Sequence, residues 1–359
     1  MNNSPAAISI NGQSFPEEEL QLLIAEKLSS SNLPDWEKDL YTFLTEWFFA
    51  FQTIEAQTSG STGEPTSIAL PKAVMVKSAQ RTIEYFGLQA GNRVLLSLPC
   101  RYIAGKMMVV RAIVGKMDLT TIDPSDVFEI LVSHTFDLGA MVPNQVFKLL
   151  ESDRGKLKLE NIRNLLIGGS AIPTILEEKV SSLKSRVVST YGMTETASHI
   201  AIRELSGHRR SDIYNCLPGI SVTLGENMCL QIHVPERPEP LQTNDMAEVL
   251  SPIGFRILGR ADDVINSGGI KYSPEAIEKK LAPWISARFV ISSLPDQVLG
   301  EKLVLVIEGT PANTRLIEQK TAELLSPFER PRSIHFLETF PQTANGKLRR
   351  NEIKRLIQS

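Results

Sequence analysis

Several short stretches of this chain concentrate residues that could do chemistry. Thr58-Ser59-Gly60-Ser61-Thr62-Gly63-Glu64-Pro65 sets four hydroxyls among glycines. Successive backbone N–H and side-chain O–H donors of such a run can wrap a polyphosphate. The same composition also suits a flexible linker. It is not a Walker A loop, because no Gly-Lys-Ser/Thr closes it, and the Gly-x-Gly-x-x-Gly fingerprint is absent. Tyr191-Gly192-Met193-Thr194-Glu195-Thr196 offers a flat ring, a flexible glycine, a hydroxyl and a carboxylate. Together these could stack a base, touch a phosphate and hold Mg²⁺. A plain strand end running into a helix, with Thr194 or Glu195 merely capping it, would read the same way. Gly168-Gly169-Ser170-Ala171 taken alone is a tight strand-to-helix turn. Asp245 suits a turn, and Lys347 in Pro341-Gln342-Thr343-Ala344-Asn345-Gly346-Lys347 suits a solvated hairpin.

The elements that must position these stretches follow from periodicity. Residues 16–29 and 35–51 predict helices, the second with apolar residues near a 3.6-residue period. Beyond the Thr58–Gly63 cluster, short apolar runs (93–98, 138–142, 164–167, 186–190) alternate with amphipathic ones (74–86, 105–114, 144–150, 173–183). That alternation predicts a layered α/β domain with a largely parallel sheet, whose ligand loops lie at the carboxyl ends of the strands. Residues 213–258 lose the helical period and predict a small β-rich subdomain. After Gly259 the pattern resets to a compact α+β domain: helix 274–281, strands 288–291 and 302–307, helix 315–325, strand 333–336, helix 350–357. The expected division is therefore 1–258 and 259–359.

Composition excludes other classes. With 38 Lys+Arg against 41 Asp+Glu the net charge is −3, which gives no general case for nucleic-acid binding. Hydrophobic residues at 42% and charged ones at 22% are ordinary for a globular chain. Cys100, Cys216 and Cys229 show no C-x-x-C spacing, which fits a reducing compartment better than a disulfide framework. Neither a signal peptide nor a membrane span is expected, so the expected location is the cytoplasm.

The order of the motifs is more specific than any one of them. Thr58–Pro65, Gly168–Ala171, Tyr191–Thr196, Thr243–Asp245, Gly259–Gly269 and Pro341–Lys347 together resemble the motif series of the adenylate-forming superfamily, which includes acyl-CoA synthetases. The resemblance implies ATP, Mg²⁺ and coenzyme A as reactants or cofactors, a carboxylic acid as substrate, and a mobile C-terminal domain. Thr58, Ser59, Gly60, Ser61, Thr62 and Gly63 would grip the β- and γ-phosphates. Gly168, Gly169, Ser170 and Ala171 would line the adenine and acyl groove, with Tyr191, Gly192 and Met193 at the base. Thr194 would touch the α-phosphate, and Glu195 would hold the metal. Asp245 would bind the ribose hydroxyls, reinforced by Arg260. Lys347 would bridge the acyl carboxylate and α-phosphate. Asp262 matches the hinge, and Ser267, Gly268 and Gly269 the pantetheine tunnel.

Departures from the family pattern are Thr66 where a lysine is usual, Asn244 where a glycine is usual, and Tyr102 where a histidine is frequent. Relatives also carry more chain before the phosphate loop. The stretches Tyr102–Met108 and Gly192–Ile200 are most similar to short-form o-succinylbenzoate–CoA ligases of menaquinone biosynthesis. That substrate bears a second carboxylate, which must be paired if it is buried. Arg111, six residues after Gly105 as in such relatives, is the first candidate partner; Arg101, Lys106, Tyr102 and His199 complete the expected acid site. For Arg111 a snorkelling surface cation is the competing reading. A ligase for another aryl or fatty acid, a carrier-loading adenylation enzyme and a non-catalytic nucleotide-binding regulator are the other functions this sequence would fit.

Overall fold

The computed structural model describes residues 7–49, 52–57, 67–130, 134–285, 287–310, 314–343 and 348–358. The chain divides by contact into two units, one of residues 1–172 and 179–220, the other of 173–178 and 221–359. The β-rich stretch thus groups with the C-terminal region, and the division falls after Ile220 rather than at Gly259.

The first unit runs β1 (Ile8–Ile10), β2 (Gln13–Phe15), α1 (Glu17–Ser29), α2 (Asp35–Phe49), β3 (Thr53–Gln57), β4 (Ser67–Pro71), α3 (Lys72–Phe86), β5 (Arg93–Leu96), α4 (Ile103–Gly115) and β6 (Asp118–Thr121). It continues with β7 (Phe136–Met141), α5 (Pro143–Leu149), α6 (Asp153–Glu160), β8 (Ile162–Ile167), α7 (Thr174–Ser181, which spans the division), β9 (Arg186–Gly192), β10 (His199–Glu204) and β11 (Tyr214–Cys216). Its sheet has the order β11-β10-β9-β8-β7-β5-β6-β1-β2. The pairs β5–β6, β5–β7, β7–β8 and β8–β9 are parallel, and β9–β10 is antiparallel. Helices cover these strands, so they read as near-continuous apolar runs: Val94, Leu95, Leu165 and Ile167 are all fully buried.

Helix α4 is unusual in being buried all round, from Gly105 to Ala112. Such a helix belongs to a core rather than a surface. Its first turn lies so close to the preceding loop that a Cβ on Gly105 would sit 2.3 Å from the Pro99 carbonyl oxygen. The sequence reading placed β5, β7, β8 and β9 and the helices between them, but gave no sign of β1–β4, β6, β10 or α6. Helix α6 carries a glycine and five charges, yet Ser152 caps it through the Gly155 N–H at 3.1 Å, and Leu149 O would clash with any Cβ at 155.

The second unit holds an antiparallel sheet β12 (Ser221–Leu224), β13 (Cys229–His233), β14 (Leu241–Ser251) and β15 (Gly254–Arg260), paired in that order. The hairpin β16 (Ile265–Ser267) and β17 (Ile270–Tyr272) follows, then α8 (Pro274–Leu281), β18 (Phe289–Asp296), β19 (Gly300–Glu308), α9 (Thr314–Leu324), β20 (Ile334–Leu337) and α10 (Arg350–Leu356). These strands form a second sheet, β17-β16-β19-β18, with β20 parallel to β19. Ile277, Leu281, Leu303 and Leu305 fill one face, while Val290, Val304, Phe340 and Ile353 fill the other. The mixed α/β class read from the sequence is the observed one.

Because the obstacle at Gly105 is backbone, Gly105→Ala is expected to cost about 1–3 kcal/mol, as overpacking does. Urea denaturation reads this directly. An unchanged midpoint would show that α4 can back away from Pro99.

Candidate active site

The carboxyl ends of β7, β8 and β9 lie side by side and carry the loops singled out by the sequence. After β8, the Gly168 N–H donates to Met141 O at 3.2 Å. A Cβ at 168 would fall 2.2 Å from Thr190 Oγ1, so β8 and β9 can approach only over a glycine. Gly169 has φ +87°, a left-handed conformation that favours glycine, and is exposed, as is Ala171. Backbone is thereby laid open beside Tyr191, whose ring packs 5.7 Å from that of Tyr214.

The 193–198 turn folds tightly back on β9. A Cβ on Gly192 would lie 2.4 Å from Ser198 O. The side chain that caps this turn comes one residue after the two candidates. Thr196 Oγ1 accepts from the Met193 N–H at 3.1 Å and lies 2.7 Å from Ser198 O. Thr194 is buried in the turn and Glu195 half-buried.

In the second unit, Asp245 on β14 stands opposite Arg260 on β15, and Arg260 Nη1 donates to its carboxylate at 3.2 Å. Arg260 Nη2 donates to Asp262 at 2.8 Å. Asn244 donates from Nδ2 to both Asp262 oxygens, at 3.2 and 3.3 Å. Thr243 steadies the strand, giving its hydroxyl to Leu230 O and accepting from the Asp245 N–H. Ser267 ends β16, and Gly268 and Gly269, at φ +62° and +82°, form the two-residue turn into β17. The Gly268 N–H is fixed on Leu299 O at 2.9 Å.

Thr58–Gly63 and Lys347 lie outside the described residues, but the residues bracketing them do not. Gln57 and Ser67 pair across β3–β4. A bridge joins Gln342 to Leu348, and the Arg349 N–H donates to Pro341 O at 3.0 Å.

The basic candidates for the acid site separate into two groups. Lys106 is buried but spent: its ammonium donates to Glu55 O at 2.8 Å and to Glu46 at 3.3 Å. Arg101 is exposed and stacks on Tyr102, 5.1 Å from the ring, at the N-terminus of α4. Both line a polar cavity of about 390 Å³ shared with Asp35, Asp39 and Glu46. Burial raises the Asp39 carboxyl, and Arg101 offsets this in part. With Lys38 also lining it, the cavity sets three cations against its three carboxyl side chains; Lys106 is already engaged by Glu46 and the Glu55 carbonyl, while Arg101 keeps its place as a candidate partner.

Arg111 is not the surface cation of the competing reading. Only 2% of it is exposed, in the middle of α4. Its Nη2 donates to Ser198 Oγ at 2.6 Å and lies 3.4 Å from His199 Nδ1. Its Nη1 meets Met108 Sδ at 3.5 Å, and its Nε has no partner among the described residues. Burial pulls the guanidinium down to about 9. His199, buried against Arg111, is lowered well below its usual 6.5 by burial and then by that neighbouring charge. Its Nε2 lies 3.2 Å from Thr82 Oγ1. Thr196 and Ser198 lie in stretches the sequence analysis singled out but were assigned no role there, and Thr82 gave no signal in the sequence beyond its residue type.

A family model described as AMP-binding enzyme matches residues 57–226. An acyl-CoA synthetase (AMP-forming)/AMP-acid ligase II-like protein from Dyadobacter fermentans is 34% identical with a TM-score of 0.61, over 94% of this chain and 98% of that one. The chain belongs to the AMP-binding enzyme family. Among curated relatives of this AMP-binding enzyme, the 2-succinylbenzoate–CoA ligase of Lactococcus lactis is 25% identical over 83% of this chain and 69% of its own length. That of Escherichia coli is 27% identical, over 84% and 68%. The O-succinylbenzoate coenzyme A synthetase of Bacillus subtilis, solved with ATP and magnesium, shares the fold at a TM-score of 0.69 and 21% identity, over 84% and 69%.

The residues present in this AMP-binding enzyme suit a nucleotide. In the first unit the glycine-lined end of β8 and the adjacent Tyr191 supply open backbone and a ring face; in the second, taken by itself, Asp245 with Arg260 supplies a carboxylate acceptor. Among the described residues no group of three or more metal-ligating side chains occurs. A single carboxylate such as Glu195 suits Mg²⁺, which keeps waters and takes phosphate oxygens as its other ligands.

His199 also sets a pH dependence of stability. Its folded state holds a neutral imidazole, whereas the unfolded chain takes up a proton below about pH 6.5. Protonation therefore favours unfolding, and stability present above pH 6.5 is lost as pH falls below it, by up to about 1.4 kcal/mol per unit. His199→Asn should flatten that slope in urea titrations between pH 7 and 5.5. Parallel slopes for both proteins would remove His199 as the source.

Proposed function

We propose that this AMP-binding enzyme is an ATP-dependent acid–CoA ligase whose acid is o-succinylbenzoate. The observation that carries the choice of acid is the buried Arg111 guanidinium, which meets hydroxyl, imidazole and thioether but no carboxylate among the described residues. Removing a charge from water costs several kcal/mol unless it is paired. A substrate with a second carboxylate would supply the missing charge. The 2-succinylbenzoate–CoA ligases among the relatives support the same reading. The guanidinium is sealed, so the reachable end of the network is Ser198, half-buried and already accepting from Arg111. Its hydroxyl hydrogen can go to the substrate, backed by the arginine's charge.

The chemistry divides into two steps. The carboxylate of the succinyl arm attacks the α-phosphate of ATP, forming a C–O–P linkage and releasing pyrophosphate. Both partners are anions, and Lys347 would lie between them while Thr194 donates toward the α-phosphate. Mg²⁺ held through Glu195 would supply further charge neutralisation. Asp245 would accept from the ribose hydroxyls, with Arg260 holding its carboxylate. The thiolate of coenzyme A then attacks the acyl carbon, a thioester forms and AMP leaves. The segment Ser267–Gly269 would line the thiol's path, and rotation about Asp262 would exchange Lys347 for that segment.

Acid-dependent release of AMP in the presence of CoA, across a panel of aryl and fatty acids including o-succinylbenzoate, tests the whole reading. AMP release with a carrier protein but not with free CoA would make it a carrier-loading enzyme, and nucleotide binding without turnover would make it a regulator.

Lys347→Ala is expected to abolish adenylate formation while thioester formation from supplied adenylate continues. Loss of one charged donor to the transition state typically costs 10²-fold or more. Equal loss in both half-reactions would contradict the assignment.

Arg111→Ala is expected to raise KM for o-succinylbenzoate by roughly 10–100-fold, the worth of a charge-assisted bond, with KM for ATP nearly unchanged. A monocarboxylic analogue lacking the ring carboxylate should lose little. If KM for o-succinylbenzoate does not move, Arg111 is not the partner of the second carboxylate.

A further inference from the structure

We propose that Thr82 and His199 are positioning residues for acid selectivity, forming a hydrogen-bond relay of fixed polarity that aims Arg111 at the Ser198 end of the site. The inference rests on the reading of Arg111 as the partner of the substrate's second carboxylate.

The polarity follows from counting hydrogens. Thr82, fully buried on α3, has its Oγ1 3.3 Å from Ser78 O in the same helix. A carbonyl can only accept, so the single hydroxyl hydrogen of Thr82 goes there. Toward His199 Nε2, 3.2 Å away, the same oxygen must then act as acceptor. The imidazole proton is therefore on Nε2, and Nδ1 keeps a bare lone pair. That lone pair faces Arg111 Nη2 and Ser198 Oγ, each at 3.4 Å. The chain of donation runs from Arg111 into His199, from His199 into Thr82, and from Thr82 into the α3 backbone.

Arg111 depends on this relay because little else holds it. One terminal nitrogen, Nη2, carries both oxygen and imidazole contacts; Nη1 has a thioether, a weak acceptor, and Nε nothing among the described residues. An imidazole with the opposite tautomer would present N–H to the guanidinium and push it away. Thr82 selects the tautomer that accepts. Three elements thus meet at one charge: α3 through Thr82, α4 through Arg111, and the turn into β10 through Ser198 and His199.

The two amide replacements of His199 separate its two nitrogens. In His199→Asn the amide oxygen falls near the place of Nδ1 and still accepts from Arg111. In His199→Gln the amide nitrogen reaches the place of Nε2 and still donates to Thr82, but the acceptor for Arg111 is lost. Adenylation kinetics of the full chain would be measured for His199→Gln, His199→Asn, Thr82→Val, Thr82→Ser and Arg111→Ala. The acids are o-succinylbenzoate and the monocarboxylic analogue, with thermal unfolding followed in parallel. His199→Gln and Thr82→Val should raise KM for o-succinylbenzoate about tenfold, the worth of one hydrogen bond. For both, kcat, KM for ATP and KM for the analogue should stay within about twofold. His199→Asn and Thr82→Ser should stay close to wild type. Equal effects of His199→Gln and His199→Asn, or a parallel rise in KM for both acids, would overturn the relay. So would a silent His199→Gln alongside an effective Arg111→Ala. An Arg111→Ala enzyme whose KM ratio between the two acids is unchanged would instead remove the arginine's own role, and the relay with it.

Discussion

The fold of the first unit turns on a sheet whose central strands are parallel and covered on both sides. Parallel strands cannot be joined by tight turns, so each is followed by a crossover that returns the chain to the same end. That requirement brings the loops after β7, β8 and β9 together, though they are separated by tens of residues in the chain. Two glycines set how near the strands and turns come. Gly168 lets β9 pass its threonine under the end of β8, and Gly192 lets the following turn fold back onto the first residues of β10. The second close approach delivers Ser198 and His199 to the buried face of α4.

An arginine in the middle of a fully buried helix is a costly placement. The protein does not neutralise it with a carboxylate among the described residues; it surrounds it with groups that accept weakly and without charge. A core optimised for stability alone would have closed that helix with leucine or methionine, as its neighbours Met107 and Met108 already do. The arrangement fits the role proposed for Arg111 toward an anionic substrate group.

Much of this was legible in the chain. The alternation of apolar runs gave the parallel sheet because strands buried on both faces must be continuously hydrophobic, and α4 could be read from its unbroken apolar surroundings. The course of Arg111 was not decided by the sequence, which suited a snorkelling cation as well; its burial against Ser198 and His199 settles it as inward. What could not be read were partnerships set by tertiary distance. Lys106 looked available because Glu46 and the Glu55 carbonyl stand far from it in sequence. Thr82 is one threonine on an amphipathic helix, and only the packing of α3 against α4 brings it to His199. The bracing of the 193–198 turn by Thr196 depends on a backbone path that residue type does not specify. Helix α6 was hidden by a glycine whose reason is a steric contact with Leu149.

The two stretches expected to handle phosphate and the attacking carboxylate share one design. Each is held at its neck by an antiparallel pairing, Gln57 with Ser67 and Gln342 with Leu348. Once a neck is pinned, the entropy of closing the span between its ends rises only slowly with length. A change in the number of residues between the paired ends therefore adds little to the cost of closing either span.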